Sequence, residues 1–223
     1  MKQMVALWLG LWLMPAFGDM FLPTTSEGDG YYHNESGSSY DFFDSTSDAL
    51  SAYYTYWGTS DTLQYNTGYL QFSLASVGTG ASVSSVTLNL YLLSSHYGSD
   101  SPSAGFIRHA ANSSGANGLA SQKIGGTEDV VEIKDQADGW LSLDVTSMVL
   151  NDLDQGYGYS CFSLNPNTSG YFRDAGFTVA SADATGNHPY LQVTSIPEPG
   201  MVALTLAGVL VTAGMCRIRR RLP

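Results

Sequence analysis

From residue 50 onward the chain alternates apolar and polar side chains in short runs, separated by clusters of Gly, Ser, Asn and Asp. The clearest run is 86–92. It sets Val86, Leu88, Leu90 and Leu92 on one face and Thr87, Asn89 and Tyr91 on the other. A period of two over seven residues predicts a half-buried strand, because successive strand side chains point to opposite faces. The same reading groups Leu70, Phe72 and Leu74 within 69–74, and Leu141, Leu143 and Val145 within 140–145. It also groups Phe162 with Leu164 in 158–164, and Leu191 with Val193 in 190–194. An aromatic run at 50–57 predicts one more strand, with Tyr54 and Tyr56 alternating against Tyr53, Thr55 and Trp57. In a two-layer fold one of those two sets faces away from the core.

Helix signals are sparse. One short helix is expected over 146–153, with Asp144 or Thr146 as its cap and Met148, Val149 and Leu153 turned inward. The stretches 94–104 and 112–126 are rich in Gly, Ser and Asn and read as loops. No fixed-period repeat and no linker divides this region. The pattern predicts an all-β domain, a jelly-roll-like antiparallel β-sandwich.

The two ends of the chain read differently. Lys2 precedes an apolar run over 5–14, followed by Pro15 and Ala16-Phe17-Gly18. That is the layout of a secretion signal, with a charged start, a short apolar stretch and small residues at the cut. Residues 1–18 are therefore expected to form a signal helix, 19–196 the β-sandwich, and 197–223 a sorting tail. At the C-terminus, Pro197-Glu198-Pro199 is followed by an apolar run over 201–216 and then Arg217, Arg219, Arg220 and Arg221. A helix over 200–218 would be roughly 28 Å long, close to the thickness of a bilayer core. The arginines would stay cytoplasmic.

Charge narrows the partners. Residues 19–196 hold 19 acidic and four basic side chains, a net charge of −15. Such a surface excludes nucleic acid, whose phosphates need positive partners. Cys161 and Cys216 lie in different parts of the chain and read as unpaired, with Cys161 a small core residue.

Two resemblances follow from these residues. The Pro-Glu-Pro, apolar span and arginine end resemble the PEP-CTERM sorting signal, which implies an exosortase-type sorting protease as partner and a membrane anchor until processing. The runs 68–74 and 80–91, with Trp140-Leu-Ser-Leu-Asp-Val-Thr146, 157–164 and 189–194, resemble the DNRLRE-type exported domains. Tyr69 and Ser73 depart from that pattern, where Arg or another polar residue and an Asp are usual. The resemblance implies a jelly-roll sandwich of a type related to carbohydrate-binding modules.

Catalytic signatures are missing from the sequence. There is no G-x-S-x-G, no phosphate-binding glycine loop, and no metal spacing among His33, His96, His109 and His188. Pairs of carboxylates, such as Asp135 with Asp138 or Glu128 with Asp129, offer raw material for glycoside hydrolysis. Nothing singles out one pair. Binding has more support. Tyr53, Tyr54, Tyr56 and Trp57 cluster in one run, and sugar C–H faces stack on aromatic planes while the hydroxyls seek polar neighbours. Asp41, Asp44 and Asp48 form a candidate loop for a structural Ca²⁺, which takes six to eight oxygens. A solvated acidic loop is the competing reading. The sequence thus favours a non-enzymatic module that binds extracellular polysaccharide or serves as structure. A carbohydrate-active enzyme and a pure surface scaffold are the alternatives.

Overall fold

A computed structural model describes residues 19–24, 30–35, 42–44, 46–57, 62–77, 83–98, 102–110, 128–134, 137–168 and 174–195. The expected signal helix and sorting tail, including Pro197, Glu198, Pro199 and the four tail arginines, lie outside the described residues. Among the described residues no helix is long and apolar enough to cross a membrane.

Among the described residues there are twelve antiparallel strands and one helix. They are β1 (Asp19–Pro23), β2 (Gly30–Glu35), β3 (Phe42–Asp44), β4 (Ala49–Trp57), β5 (Thr62–Ser73) and β6 (Val83–Tyr97). Then come β7 (Gly105–Ala110), β8 (Glu128–Ile133), β9 (Gly139–Asp144), α1 (Thr146–Asp154), β10 (Tyr159–Pro166), β11 (Asp174–Ala180) and β12 (Tyr190–Ser195). Hydrogen bonds connect them in the order β1-β12-β6-β11-β4-β5-β10-β7-β8, with β9 added to β6, β2 added to β5, and β3 to β2. An all-β, antiparallel, sandwich-like architecture results.

Two long strands tie the layers together. β6 pairs through its first part with β12 and β9, and through its last part with β11. β5 pairs first with β4 and then with β10. A single bridge between Thr24 and Phe72 connects the end of β1 back to β5.

The alternation read from the sequence sets the core. Leu70, Phe72, Leu74, Val86, Leu88, Leu90, Leu92, Val145, Phe162, Leu164, Leu191 and Val193 are all buried in one apolar cluster. Leu141 and Leu143 are half-buried against it, since β9 has β6 as its one strand partner. A second, smaller cluster of Tyr69, Ala110 and Cys161, with Tyr159 at its margin, lies on the opposite face of β5 and β10. Burial pushes the Cys161 thiol up to about 12, with the charge of Asp152 adding to the effect. At neutral pH it is a protonated core residue, not a nucleophile.

β6 corrects one expectation. The first four residues of the expected loop over 94–104 continue the strand, because a β-bulge at Leu93 breaks the simple period. Thr178 pairs with Ser94 and Val179 with Leu92, leaving Leu93 as the extra residue. A bulge shifts which residues point inward. Before it the even-numbered side chains face the core; after it Tyr97 packs there and Ser94 and His96 are exposed. A second bulge at the start of β6 leaves Ser84 unpaired in register, its hydroxyl donating to the Thr194 carbonyl at 2.9 Å.

The helix forms where the sequence placed it, but Val145, not Asp144 or Thr146, occupies the N-cap position, with no side-chain cap. Asp144 Oδ1 accepts from the Thr146 backbone N–H at 3.0 Å and from the Thr146 hydroxyl at 2.6 Å. These two bonds hold the Asp144 carboxyl below its usual range. Met148 and Val149 enter the core, and Leu153 is half-buried against it. The inner side of α1 also carries a charge that the pattern did not announce. Asp152 is fully buried, and its Oδ2 lies 2.9 Å from His109 Nε2 on β7.

Candidate functional site

Three large apolar side chains are exposed among the described residues: Phe21 at 59%, Leu93 at 41% and Trp140 at 48%. Exposed aromatic surface is the observation that calls for an explanation, since folding alone would bury it. Register shows why the rings gather. On β1, β12, β6 and β9 the core-facing set is Leu22, Leu191, Val193, Leu88, Leu90, Leu141 and Leu143. Phe21, Tyr190, Tyr91 and Trp140 occupy the alternate positions and share the outer face. Pairing then sets Tyr91 directly opposite Trp140, and Tyr190 opposite Asn89, two residues before Tyr91 on β6.

The rings touch in sequence. Phe21 and Tyr190 have centroids 5.6 Å apart, Tyr190 and Trp140 5.7 Å, and Trp140 and Tyr91 5.5 Å. Their interplanar angles are 63°, 63° and 80°, the edge-to-face arrangement that aromatic quadrupoles favour. The strip runs diagonally across four strands. Gly139 introduces it with a φ of +139°, a backbone setting that glycine takes without strain and that leads directly into Trp140.

Polar groups beside the rings are held in place. Ser142 donates to Asn89 Oδ1 at 2.8 Å, and Asn89 Nδ2 donates to the Thr87 carbonyl at 3.2 Å. Gln192 and Thr194 each donate to Asp19, both at 2.8 Å. The outward positions of these four strands include Asp19 and Asp144 and carry no Lys or Arg. The face therefore offers apolar ring surface flanked by fixed donors and acceptors, with negative charge at two of its margins.

The aromatic run expected on β4 divides between the two sides of its strand. Tyr54 is buried, 6.3 Å from the Tyr65 ring in an edge contact, and offers no face to solvent. Tyr53 points outward and is half-buried. Its hydroxyl donates to Asp174 Oδ1 at 2.8 Å, and its ring lies 5.4 Å from that of His96. Partial burial, reinforced by the nearby Asp174 carboxylate, pushes the Tyr53 phenol above its ordinary value. Tyr56 and Trp57 belong to β4, where Tyr56 pairs with Leu63 and Trp57 with Thr62 on β5.

The expected acidic loop is less complete in the structure. Asp41 lies outside the described residues, Asp44 is described only as backbone in β3, and Asp48 is exposed. Among the described residues no three metal-ligating side chains come together. Of the carboxylates considered for hydrolysis, Asp138 is exposed and the side chains of Glu128, Asp129 and Asp135 are not described. The His109–Asp152 pair is closed off from solvent, its side chains 6% and 0% exposed, and serves packing.

The strand sandwich thus carries an open aromatic strip with oriented polar groups beside it. Residues 46–195 match the family model of carbohydrate-binding module family 96, and the chain belongs to that family. Tyr53, Tyr91, Trp140 and Tyr190 fall inside the matched region; Phe21 precedes it. No match was found among curated proteins.

Proposed function

We propose that the protein is an exported, non-enzymatic module that binds neutral polysaccharide through the strip Phe21–Tyr190–Trp140–Tyr91, in the cell envelope or extracellular matrix. The observation that carries this reading is the exposed aromatic strip, with oriented amide, hydroxyl and carboxylate groups beside it, in a member of a carbohydrate-binding family. Sugar rings stack on such planes, and their hydroxyls replace water at Ser142 and Gln192, while the buried Asn89 fixes Ser142 from beneath. Two carboxylates and no cation at the outward positions favour a neutral glycan over an anionic one, unless Ca²⁺ bridges the charges.

Binding of the purified protein to neutral and acidic polysaccharides, with calcium and with chelator, tests the reading. Trp140→Ala should weaken glycan binding by about 1 kcal/mol, roughly fivefold, by analogy with other aromatic contacts. Its melting temperature should fall by only a few degrees, reflecting the lost edge contacts with Tyr91 and Tyr190 of a ring that is half exposed. Undiminished binding by Trp140→Ala would remove the strip from consideration. Turnover of a bound glycan would favour the enzyme alternative, and binding to no glycan would favour the scaffold. Single sites of this strength gain useful attachment from many copies at a surface.

Export rests on the signal-like residues 1–18 and the Pro197-Glu198-Pro199, span and arginine order of the tail. The proposal includes membrane anchoring through the C-terminal helix, followed by release or transfer by an exosortase-type protease. Intact-mass analysis of envelope and secreted fractions, from a host with such a protease, should find a species lacking both ends. Recovery of only a form that retains residues 201–223 would point instead to a permanent anchor.

A further inference from the structure

We infer that the aromatic strip continues along β6 to a second anchor at Tyr53, so that the surface takes an internal stretch of a long neutral polysaccharide chain. This rests on the carbohydrate-binding reading and extends it to the length and form of the ligand.

β6 supplies the path. It carries Tyr91 in the part that pairs with β9 and His96 in the part that pairs with β11. The bulge at Leu93 keeps both on the outer side: without the extra residue, an odd position and an even position would face opposite ways. Leu93 itself projects at the midpoint, 41% exposed. All three exposed large apolar side chains of the described residues, Phe21, Trp140 and Leu93, thus lie on this one track.

Tyr53 ends the track because β11 has a glycine where its side chain would interfere. His96 pairs with Gly176, and Gly176 pairs with Tyr53. A Cβ at Gly176 would come within 2.8 Å of a Tyr53 ring carbon, so the ring lies over β11 in the space that the missing side chain leaves. There it reaches His96, whose ring is 5.4 Å away and tilted by 43°. Asp174 Oδ1 holds both partners, accepting from the Tyr53 hydroxyl at 2.8 Å and lying 3.2 Å from His96 Nε2. The ring is fixed in advance of the ligand, which lowers the ordering cost of binding.

Spacing sets the ligand class. Five positions of β6, one of them the bulge, separate Tyr91 from His96, about 13–16 Å at roughly 3.3 Å per residue. A disaccharide stacked on Trp140 cannot reach Tyr53; an extended oligosaccharide lying along β6 can. A second anchor engaged by the same chain adds affinity without a second encounter. Recognition of this kind selects for chain length and does not require a chain end.

Calorimetry with β-1,4-linked gluco- and manno-oligosaccharides, from disaccharide to octasaccharide, and with the matching polymers, tests the inference on the purified protein. Affinity should climb with length and then level off. Tyr53→Ala should lower affinity for the longest oligosaccharides roughly fivefold, leaving the shortest ones that bind unchanged, whereas Trp140→Ala should lower both. Should Tyr53→Ala lose its fold, Leu93→Ser at the exposed bulge gives the same length-dependent test. The inference is overturned if affinity is flat with length, or if neither Tyr53→Ala nor Leu93→Ser matters at any length. In that case a loss on Trp140→Ala would still leave the carbohydrate reading standing. Binding of no probe by the parent protein, here or in the wider panel of neutral and acidic polysaccharides, would overturn both.

Discussion

Leu88→Asp should abolish folding, while Thr87→Asp, one residue away, should leave a folded protein. Leu88 is fully buried in the main core and pairs with Leu191 on one side and Leu143 on the other. A carboxylate there has no partner and no water, and burying an unpaired charge costs more than a typical domain has to spare. Thr87 lies on the outer face, between Gln192 and Asp144. Its replacement sets two carboxylates side by side on neighbouring strands, a loss of about 0.5–1 kcal/mol. Urea denaturation of the two variants should therefore show no folded baseline for the first and a small midpoint shift for the second. Equal losses would mean that the register of β6 is wrong, and with it the placement of Tyr91 on the outer face.

The same alternation explains how much of the site is legible in the sequence. Leu141 and Leu143 on one side of their strand put Trp140 and Ser142 on the other; Leu90 does this for Tyr91, and Leu191 for Tyr190. Each aromatic is legible as an outward residue. Their meeting is not, because it depends on β12, β6 and β9 lying side by side in one register, and residues 91, 140 and 190 are far apart in the chain. The local Tyr53–Trp57 cluster is the more conspicuous feature, since adjacency in sequence is easy to see. Alternation says that one of its two sets faces outward but not which, and the structure turns Tyr54 in and Tyr53 out.

The fold divides similarly. Strands with a clean period of two announce themselves, and their core residues with them. β7 and β11 do not, because their inward sets are diluted. In β11, Ala175, Gly176 and Phe177 are buried in succession, and in β7 Ile107 is followed by the buried polar His109. β6 reads as too short because the period that identifies a strand changes phase at the bulge. Asp152 is hidden for another reason. An acidic residue on a short helix reads as a solvated one unless its partner is known, and His109 lies on a different element.

That buried pair should be the most sensitive polar contact in the domain. Asp152 is fully buried; His109 Nε2 meets its Oδ2 at 2.9 Å, while Oδ1 has no hydrogen-bond partner. The His109 ring also packs 5.5 Å from Phe162 in the core. His109→Ala removes the carboxylate's one charge-assisted contact and leaves a cavity, so it should cost about 3–5 kcal/mol. For a domain of this size that corresponds to a melting temperature lower by roughly 6–20 °C. The pair is not required for folding as such. Desolvating two ionisable groups offsets much of their attraction, and well-packed apolar replacements of similar volume often match or exceed a buried pair. The double variant His109→Leu/Asp152→Leu should therefore recover most of the loss. With the single variants His109→Leu and Asp152→Leu completing the cycle, a coupling energy well above about 1 kcal/mol would identify the contact as the cause. Additive losses would mean that each residue matters through its own packing, and that α1 is held against the sandwich by its apolar residues Met148, Val149 and Leu153.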